Sequence, residues 1–501
     1  MARLVPVLNV LSVVIVIFAL AMLLPLLVSV IYGDAARDAY EVAVVVTFAS
    51  GAVLWIATLA GRAELQPRDG FLLVALVWTV LPAFATVPLL VHASDLSFTD
   101  AYFETVAALT TTGSTVLSGL DRLPPSINFW RCELQWLGGM GIIVLAVAIL
   151  PLLGVGGSQI MRAETPGPMK HTKLTPRITE TAKGLWLVYA IMTLACALVF
   201  KTVGMTWFDA IVHSFSTLSL GGFSSHDASF GFFNSPAVEA AATFFMAAAG
   251  INFGTHFLAF RKLSFVPYRN DPEAGAYVAL LAISVLGIAY FLLANHVYPS
   301  FWTALRYSAF NVVSIATTTG FATTDFNQWP VFAPVWMLFL CCFATCSGST
   351  GSGIKMIRAE LMVRQALREL MSIIHPRAYL PVKLSGQRVE NNIIFAVLAF
   401  MLIWGGSVIA MTMLLAASGL DIITAFSAVI ACICNTGPGL NQVGPATNYA
   451  ALNDFQTWVC TAAMLIGRLE LLRCSSSPRP RSGANDRSVC GRRSRRRPEG
   501  V

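Results

Sequence analysis

The sequence predicts an all-α polytopic membrane protein in which four pseudo-symmetric repeats surround one centre, preceded by two extra transmembrane helices. Three observations predict it. The 501 residues are 56% hydrophobic and only 12% charged, with a mean hydropathy of +0.70, whereas soluble domains carry about 25% charge. Apolar runs of about 20 residues recur, the helix length that crosses a hydrocarbon core of roughly 30 Å, and they lack the alternation of barrel strands. A short polar stretch ending in glycine occurs four times: Thr110-Thr111-Thr112-Gly113, Ser219-Leu220-Gly221-Gly222, Thr317-Thr318-Thr319-Gly320 and Asn435-Thr436-Gly437. Their final glycines are 109, 98 and 117 residues apart, so one unit of about a hundred residues is repeated, and a unit that cannot complete its own site is expected to share a centre with its copies.

In order, residues 1–66 hold the two extra spans, about Leu8 to Ile31 and Tyr40 to Leu59. The first is read as a retained helix, because it is long enough to span and lacks a small-residue cleavage site. Repeat 1 (67–165) reads as a span from Phe71 to Val91, a half-length segment from Phe98 to Leu109, the glycine loop, and a span from Phe129 to Leu153. Repeat 2 (166–268) gives Leu185 to Phe200, Trp207 to Thr217 and Val238 to Phe260. Repeat 3 (269–374) gives Ala274 to Leu293, Trp302 to Ala316 and Val331 to Ile354, then a basic amphipathic helix from Lys355 to Met371, suited to a membrane surface or a partner. Repeat 4 (375–472) gives Asn392 to Ala416, Ile422 to Cys434 and Phe455 to Leu472. The half-length segments are too short to cross and are expected to be re-entrant.

Residues 473–501 carry nine Arg against Asp486 and Glu499, which accounts for the formal net charge of +7. The body is therefore neutral overall, so the basic balance says nothing about nucleic acid; no nucleic-acid partner is expected, the alternative being a tail that binds one. This tail is too polar to pack, is expected to be disordered, and resembles the product of a shifted reading frame. The ten cysteines show neither zinc spacing nor a disulfide framework. Lys and Arg concentrate between the repeats and are absent from 204–235 and 419–453. The positive-inside rule then puts the inter-repeat loops and both termini in the cytoplasm and the glycine loops towards the outside.

Irregular backbone at membrane depth survives only where it is buried in protein or lines water, so four such loops imply a passage. A dehydrated monovalent cation needs oxygens in place of its water, and rings of carbonyls provide them. Glycine lets the backbone turn by accepting positive φ, and Thr hydroxyls add oxygens. No charged side chain lies in the four loops. Asp121, Asp227 and Asp325 stand just beyond them, either attracting cations to the mouth or capping the loops. Cys346-Ser347-Gly348-Ser349-Thr350-Gly351-Ser352-Gly353 is too polar and flexible to stay helical and is expected to line the cavity. Arg468, inside the last span, is either an intramembrane charge with a function or a cytoplasmic flank beside Glu470.

The four motifs, Ala108 to Ser114, Phe215 to Ser224, Val313 to Asp325 and Cys434 to Leu440, resemble the Trk/Ktr/HKT superfamily of cation transporters, and within it the TrkH-like pore subunits, which also carry two extra N-terminal helices. The resemblance implies a potassium filter made by Thr111, Thr112, Gly113, Leu220, Gly221, Gly222, Thr318, Thr319, Gly320, Asn435, Thr436 and Gly437, since glycine in all four repeats goes with potassium. It implies a gate below the filter at Gly348, Ser349, Thr350, Gly351, Ser352 and Gly353, with Arg468 as an electrostatic barrier. It further implies potassium uptake across a bacterial inner membrane by a homodimer regulated by a cytosolic TrkA-like nucleotide-binding ring, with potassium as the transported ion and no bound cofactor. The chain has no nucleotide-binding signature of its own. The alternatives are a less selective or sodium-conducting member of the superfamily, an ion-coupled secondary transporter, and an intramembrane enzyme using His213 with Ser216, or His256. Fourfold repetition predicts an axis rather than an asymmetric catalytic site, so no enzyme is expected.

Overall fold

The computed structural model describes residues 4–59, 67–139, 141, 178–384 and 387–469. Almost every regular element is a helix. The all-α expectation holds, with one small addition: Lys383–Leu384 and Gln387–Arg388 form a short antiparallel hairpin between repeats 3 and 4.

Helices α1 (Val5–Ala21), α2 (Leu23–Tyr32) and α3 (Arg37–Thr58) make the N-terminal hairpin. Repeat 1 holds α4 (Pro67–Ala85), α5 (Val87–His92), α6 (Phe98–Leu109) and α7 (Pro125–Gly139). Repeat 2 holds α8 (Ile178–Thr202), α9 (Trp207–Ser219), α10 (Pro236–Ala249) and α11 (Phe253–Lys262), followed by the short α12 (Val266–Asn270). Repeat 3 holds α13 (Ala274–Ala294), α14 (Phe301–Ala316), α15 (Phe332–Cys341) and α16 (Met356–Ile374). Repeat 4 holds α17 (Asn391–Ala417), α18 (Ile422–Ile433) and α19 (Asp454–Arg468).

The half-length helices α6, α9, α14 and α18 start alike. Ser97, Thr206, Ser300 and Asp421 each cap one by accepting the backbone N–H three residues on, which satisfies a donor the helix cannot. They also end alike, running straight into the four glycine loops. Each helix therefore presents its C-terminal end to its loop, with roughly half a negative elementary charge. Two of them are almost wholly enclosed: every residue from Ala101 to Leu109 and from Thr424 to Ile433, Phe426 apart, is buried.

Two expected spans are corrected. Val238 to Phe260 is not one helix: α10 and α11 meet at 97° across Gly250–Asn252, where Asn252 starts a new helix by accepting from Gly254 N–H at 2.8 Å. Val331 to Ile354 is helical only through Cys341, and the chain then stays irregular to Lys355. By length and apolarity six helices could cross a membrane among the described residues, or seven counting the bent pair; the expected spans Phe129 to Leu153 and Phe455 to Leu472 run beyond those residues. The end of the Phe129 to Leu153 span, most of the loop between repeats 1 and 2, and the tail 473–501 lie outside the described residues.

Candidate functional site

The four loops share one backbone conformation. Gly113, Gly222, Gly320 and Gly437 have φ of 80°, 79°, 88° and 96°, and the residues two before them, Thr111, Leu220, Thr318 and Asn435, have φ of 58°, 54°, 62° and 51°. Left-handed Thr, Leu and Asn cost roughly 1–3 kcal/mol each and persist only where the surroundings impose them. The turn itself is held the same way in each quarter: Thr112, Gly221, Thr319 and Thr436 donate their N–H back to Ala107, Ser216, Ser314 and Ala431 carbonyls at 2.8, 2.9, 2.8 and 2.8 Å.

The loops close into a ring. A Cβ placed on Gly113 would lie 2.1 Å from the Gly221 carbonyl oxygen, one on Gly222 2.1 Å from Thr319 O, one on Gly320 2.0 Å from Thr436 O, and one on Gly437 2.8 Å from Thr112 O. Each glycine thus abuts the carbonyl one residue before the glycine of the next repeat, in the cyclic order 1, 2, 3, 4, 1. No side chain can occupy those positions without moving backbone, which is the reason they are glycine.

The quarters differ in their bracing. In repeats 1 and 3 the hydroxyls of Thr110 and Thr112, and of Thr317 and Thr319, are 2.7 Å apart. Repeat 2 lacks Thr at these places, and Gln135 of α7 substitutes, donating to Gly221 O at 2.6 Å and accepting from Phe223 N–H at 3.1 Å. In repeat 4, Gly437 O accepts from Tyr449 OH at 2.9 Å and Ser114 Oγ at 3.1 Å, and Asn435 donates to Thr112 Oγ1 at 2.8 Å. Behind these loops Arg131 pairs with Glu104 at 2.8 Å, donates to Ser224 O at 3.2 Å and lies 4.2 Å over the Phe223 ring.

The irregular segment of repeat 3 lies against the C-terminal ends of the half-helices. Thr350 Oγ1 donates to Leu218 O at 2.9 Å, and Ser352 N–H donates to Thr318 Oγ1 at 3.1 Å. Cys346 N–H donates to Gly250 O and Phe253 N–H to Gly348 O, at 3.1 and 3.0 Å, so the break in repeat 2 and this loop fit into one another. Gly348 and Gly353 have φ of 78° and 84°. Gly351 sits with its would-be Cβ 3.1 Å from Thr317 O, and Ser349 Oγ bonds Cys346 O at 2.7 Å. Arg468 joins three quarters: it donates to Thr350 O at 3.3 Å and Ser352 Oγ at 3.2 Å in repeat 3, and to Gly138 O at 2.5 Å and Gly139 O at 3.3 Å in repeat 1. The residues singled out in the sequence are therefore brought together in two layers, with Thr318 linking the ring to the loop.

The carboxylates beyond the ring serve as braces. Asp121 pairs with His226 at 2.5 Å, Asp227 accepts from Leu120 N–H at 3.1 Å, and Asp325 accepts from Asn327 N–H at 3.2 Å. The enzyme reading loses its geometry: His213 spends its ring nitrogens on Asp209 O and Ser224 Oγ, at 2.8 and 2.9 Å, and His256 on Tyr268 OH and Ala248 O, at 2.7 and 2.9 Å. Sequence reading missed Glu104, Arg131, Gln135 and Tyr449. Its available signal was Arg131, Glu133 and Gln135 falling inside a stretch taken as an apolar span, where polar groups need partners.

The family model described as TrkH, cation transport protein, matches residues 37–476. The Trk system potassium uptake protein TrkH of Vibrio parahaemolyticus is 46% identical over 457 residues, covering 91% of this chain and 94% of that protein. The proteins of that name from Halomonas elongata and Escherichia coli are 44% and 43% identical, with 93% and 91% of this chain covered and 96% and 94% of theirs. The crystal structure of the potassium transporter TrkH from Vibrio parahaemolyticus is similar with a TM-score of 0.85 and 41% identity, covering 95% of this chain and 99% of that one.

Proposed function

The chain belongs to the TrkH family of cation transport proteins, and from that premise we propose that it takes up potassium as the pore-forming subunit of a Trk-type system. The observation that carries this reading is the closed ring of Gly113, Gly222, Gly320 and Gly437 against the carbonyls of Gly221, Thr319, Thr436 and Thr112. Neutral oxygens in four quarters, with four helix C-termini behind them, suit a dehydrated monovalent cation. Thr111, Thr112, Leu220, Gly221, Thr318, Thr319, Asn435 and Thr436 complete this filter.

Below it, Gly348 to Gly353 and Arg468 form the gate. The guanidinium holds a fixed positive charge under the ring, and the irregular backbone supplies the element that moves. The protein works in a bacterial inner membrane with both termini cytoplasmic, as a homodimer under the control of a cytosolic TrkA-like nucleotide-binding ring. The cited relatives' names, which place them in a Trk system, support the partnership.

The test is rubidium and sodium flux in proteoliposomes for the parent chain and Gly113→Ser. Rubidium should enter and sodium should not, and the substitution should erase the difference. Equal flux of both ions, unchanged by the substitution, would sink the filter assignment.

A further inference from the structure

Cysteines scattered through the sequence converge at one place. The Sγ atoms of Cys341, Cys342 and Cys434 all lie within 4.8 Å of one another, with Cys342 and Cys434 3.9 Å apart. Cys341 and Cys434 are fully buried and Cys342 partly so. A metal–sulfur bond of about 2.3 Å places trigonal sulfur donors about 4.0 Å apart, so Cys342 and Cys434 already have that spacing and the Cys341 thiol lies within 4.8 Å of both.

The donor set selects the ion. Zinc takes four ligands in closed sites, and here three donors converge among the described residues, all sulfur, with no His or carboxylate in the group. Soft thiol ligands without a hard partner favour a soft ion such as Cu(I), and Ag(I) shares its charge and softness. The surroundings favour low charge as well, because net charge in a membrane interior is costly. One monovalent cation that displaces one thiol proton leaves a neutral complex of one thiolate and two thiols.

We propose that Cys341, Cys342 and Cys434 bind one soft monovalent cation, Cu(I) or Ag(I), and that the ion ties the root of the repeat 3 loop to the fourth quarter of the ring. Cys341 ends α15 and Cys342 caps it. The loop returns to the same two residues: Ile354 N–H donates to Cys342 O at 2.6 Å, and Gly353 packs against both carbonyls. Cys434 caps α18 and directly precedes Asn435-Thr436-Gly437. It occupies the place that Thr110, Ser219 and Thr317 hold in the other quarters, so the fourth quarter alone has a thiol there. The half-buried Cys342 gives the ion its entry.

The test uses the full chain in detergent, with Cys474 and Cys490 of the tail changed to Ser so that they do not bind. Cu(I) under anaerobic conditions and Ag(I) are added in turn, excess is removed, and retained metal is measured by mass spectrometry. The protein should keep one ion per chain. Cys341→Ser, Cys342→Ser and Cys434→Ser should each lower retention about tenfold or more, and Cys196→Ser should leave it unchanged. Should a buried substitution prevent folding, Cys342→Ser carries the comparison. No retained metal, retention unchanged in Cys342→Ser, or a preference for Zn(II) would each overturn the site. Metal retention is read without any flux, so it stands apart from the potassium reading.

Discussion

Arg131 of α7 and Glu104 of α6 form an ion pair at 2.8 Å with each side chain 1% exposed. Glu104 also accepts from Thr115 Oγ1 and Val116 N–H, so one carboxylate fixes the chain just past Gly113 while its partner reaches Ser224 of the next repeat. Removing one member of such a pair strands a buried charge, at a cost of about 3–5 kcal/mol, whereas replacing both by apolar groups is often near neutral. Arg131→Met should therefore lower the unfolding temperature in detergent far more than Arg131→Met with Glu104→Leu. Equal losses in the single and double variants would remove the pair from this role.

The ring contacts predict graded effects of adding a methyl group. All four glycines have positive φ, so alanine at any of them carries a backbone cost of about 1–2 kcal/mol. The clash differs: 2.0 Å to Thr436 O with Pro438 Cδ at 2.9 Å for Gly320, but 2.8 Å to Thr112 O for Gly437. Gly320→Ala should reduce rubidium flux more than Gly437→Ala in the same liposomes. The reverse order would show that the ring contacts do not govern conduction.

Arg468 should hold the lower layer shut. Arg468→Ala removes its hydrogen bonds to Gly138, Gly139, Thr350 and Ser352 together with the charge below the ring, and should raise basal rubidium flux. Arg468→Lys keeps the charge without the planar fork that reaches two repeats at once, and should fall between. Slower flux in Arg468→Ala at equal protein incorporation would argue against a barrier.

Beyond the ring, His226 lies between Asp121 at 2.5 Å and Asp209 at 3.2 Å. Burial pulls the His226 pKa down, but hydrogen bonds to Asp209 and Asp121 and their charges outweigh it, and the value is raised. For Asp121, burial pushes up and the His226 hydrogen bond more than offsets it, leaving the value lowered. A raised His pKa contributes stability that is complete below its unfolded value of about 6.5 and lost as pH rises through the folded value. A lowered Asp pKa contributes stability present above about 3.9 and lost as pH falls through the folded value. The bridge is therefore fully formed from about pH 4 to 6.5. The unfolding temperature of the parent should drop between pH 6 and 9 by more than that of His226→Gln. Parallel pH profiles would exclude the bridge as the cause.

The outline of the site was legible because its constraint is written in residue type. Only glycine fits at Gly113, Gly222 and Gly320 against a neighbouring carbonyl, and four such positions at one interval can be read directly. Leu220 shows the limit: its left-handed backbone is imposed by the loop on either side, and nothing about leucine announces it. Gly250 and Asn252 carried the usual marks of a helix end, a glycine and a capping residue, yet the apolar residues on both sides outweighed them. Pairs joined through space, such as Arg131 with Glu104 or Cys342 with Cys434, leave no trace in the spacing of either member.

The ring closes between Thr112 and residues of the last repeat, with Asn435 323 residues further along the chain. At synthesis rates of about 5–20 residues per second, the first glycine loop is made roughly 16–65 s before its final neighbour exists. Its buried hydroxyls and carbonyls must wait through that interval with only the half-helix and α7 of their own repeat beside them. The biogenesis of the protein therefore begins with a quarter that waits, and no ion can be selected until the last helix has entered the bilayer.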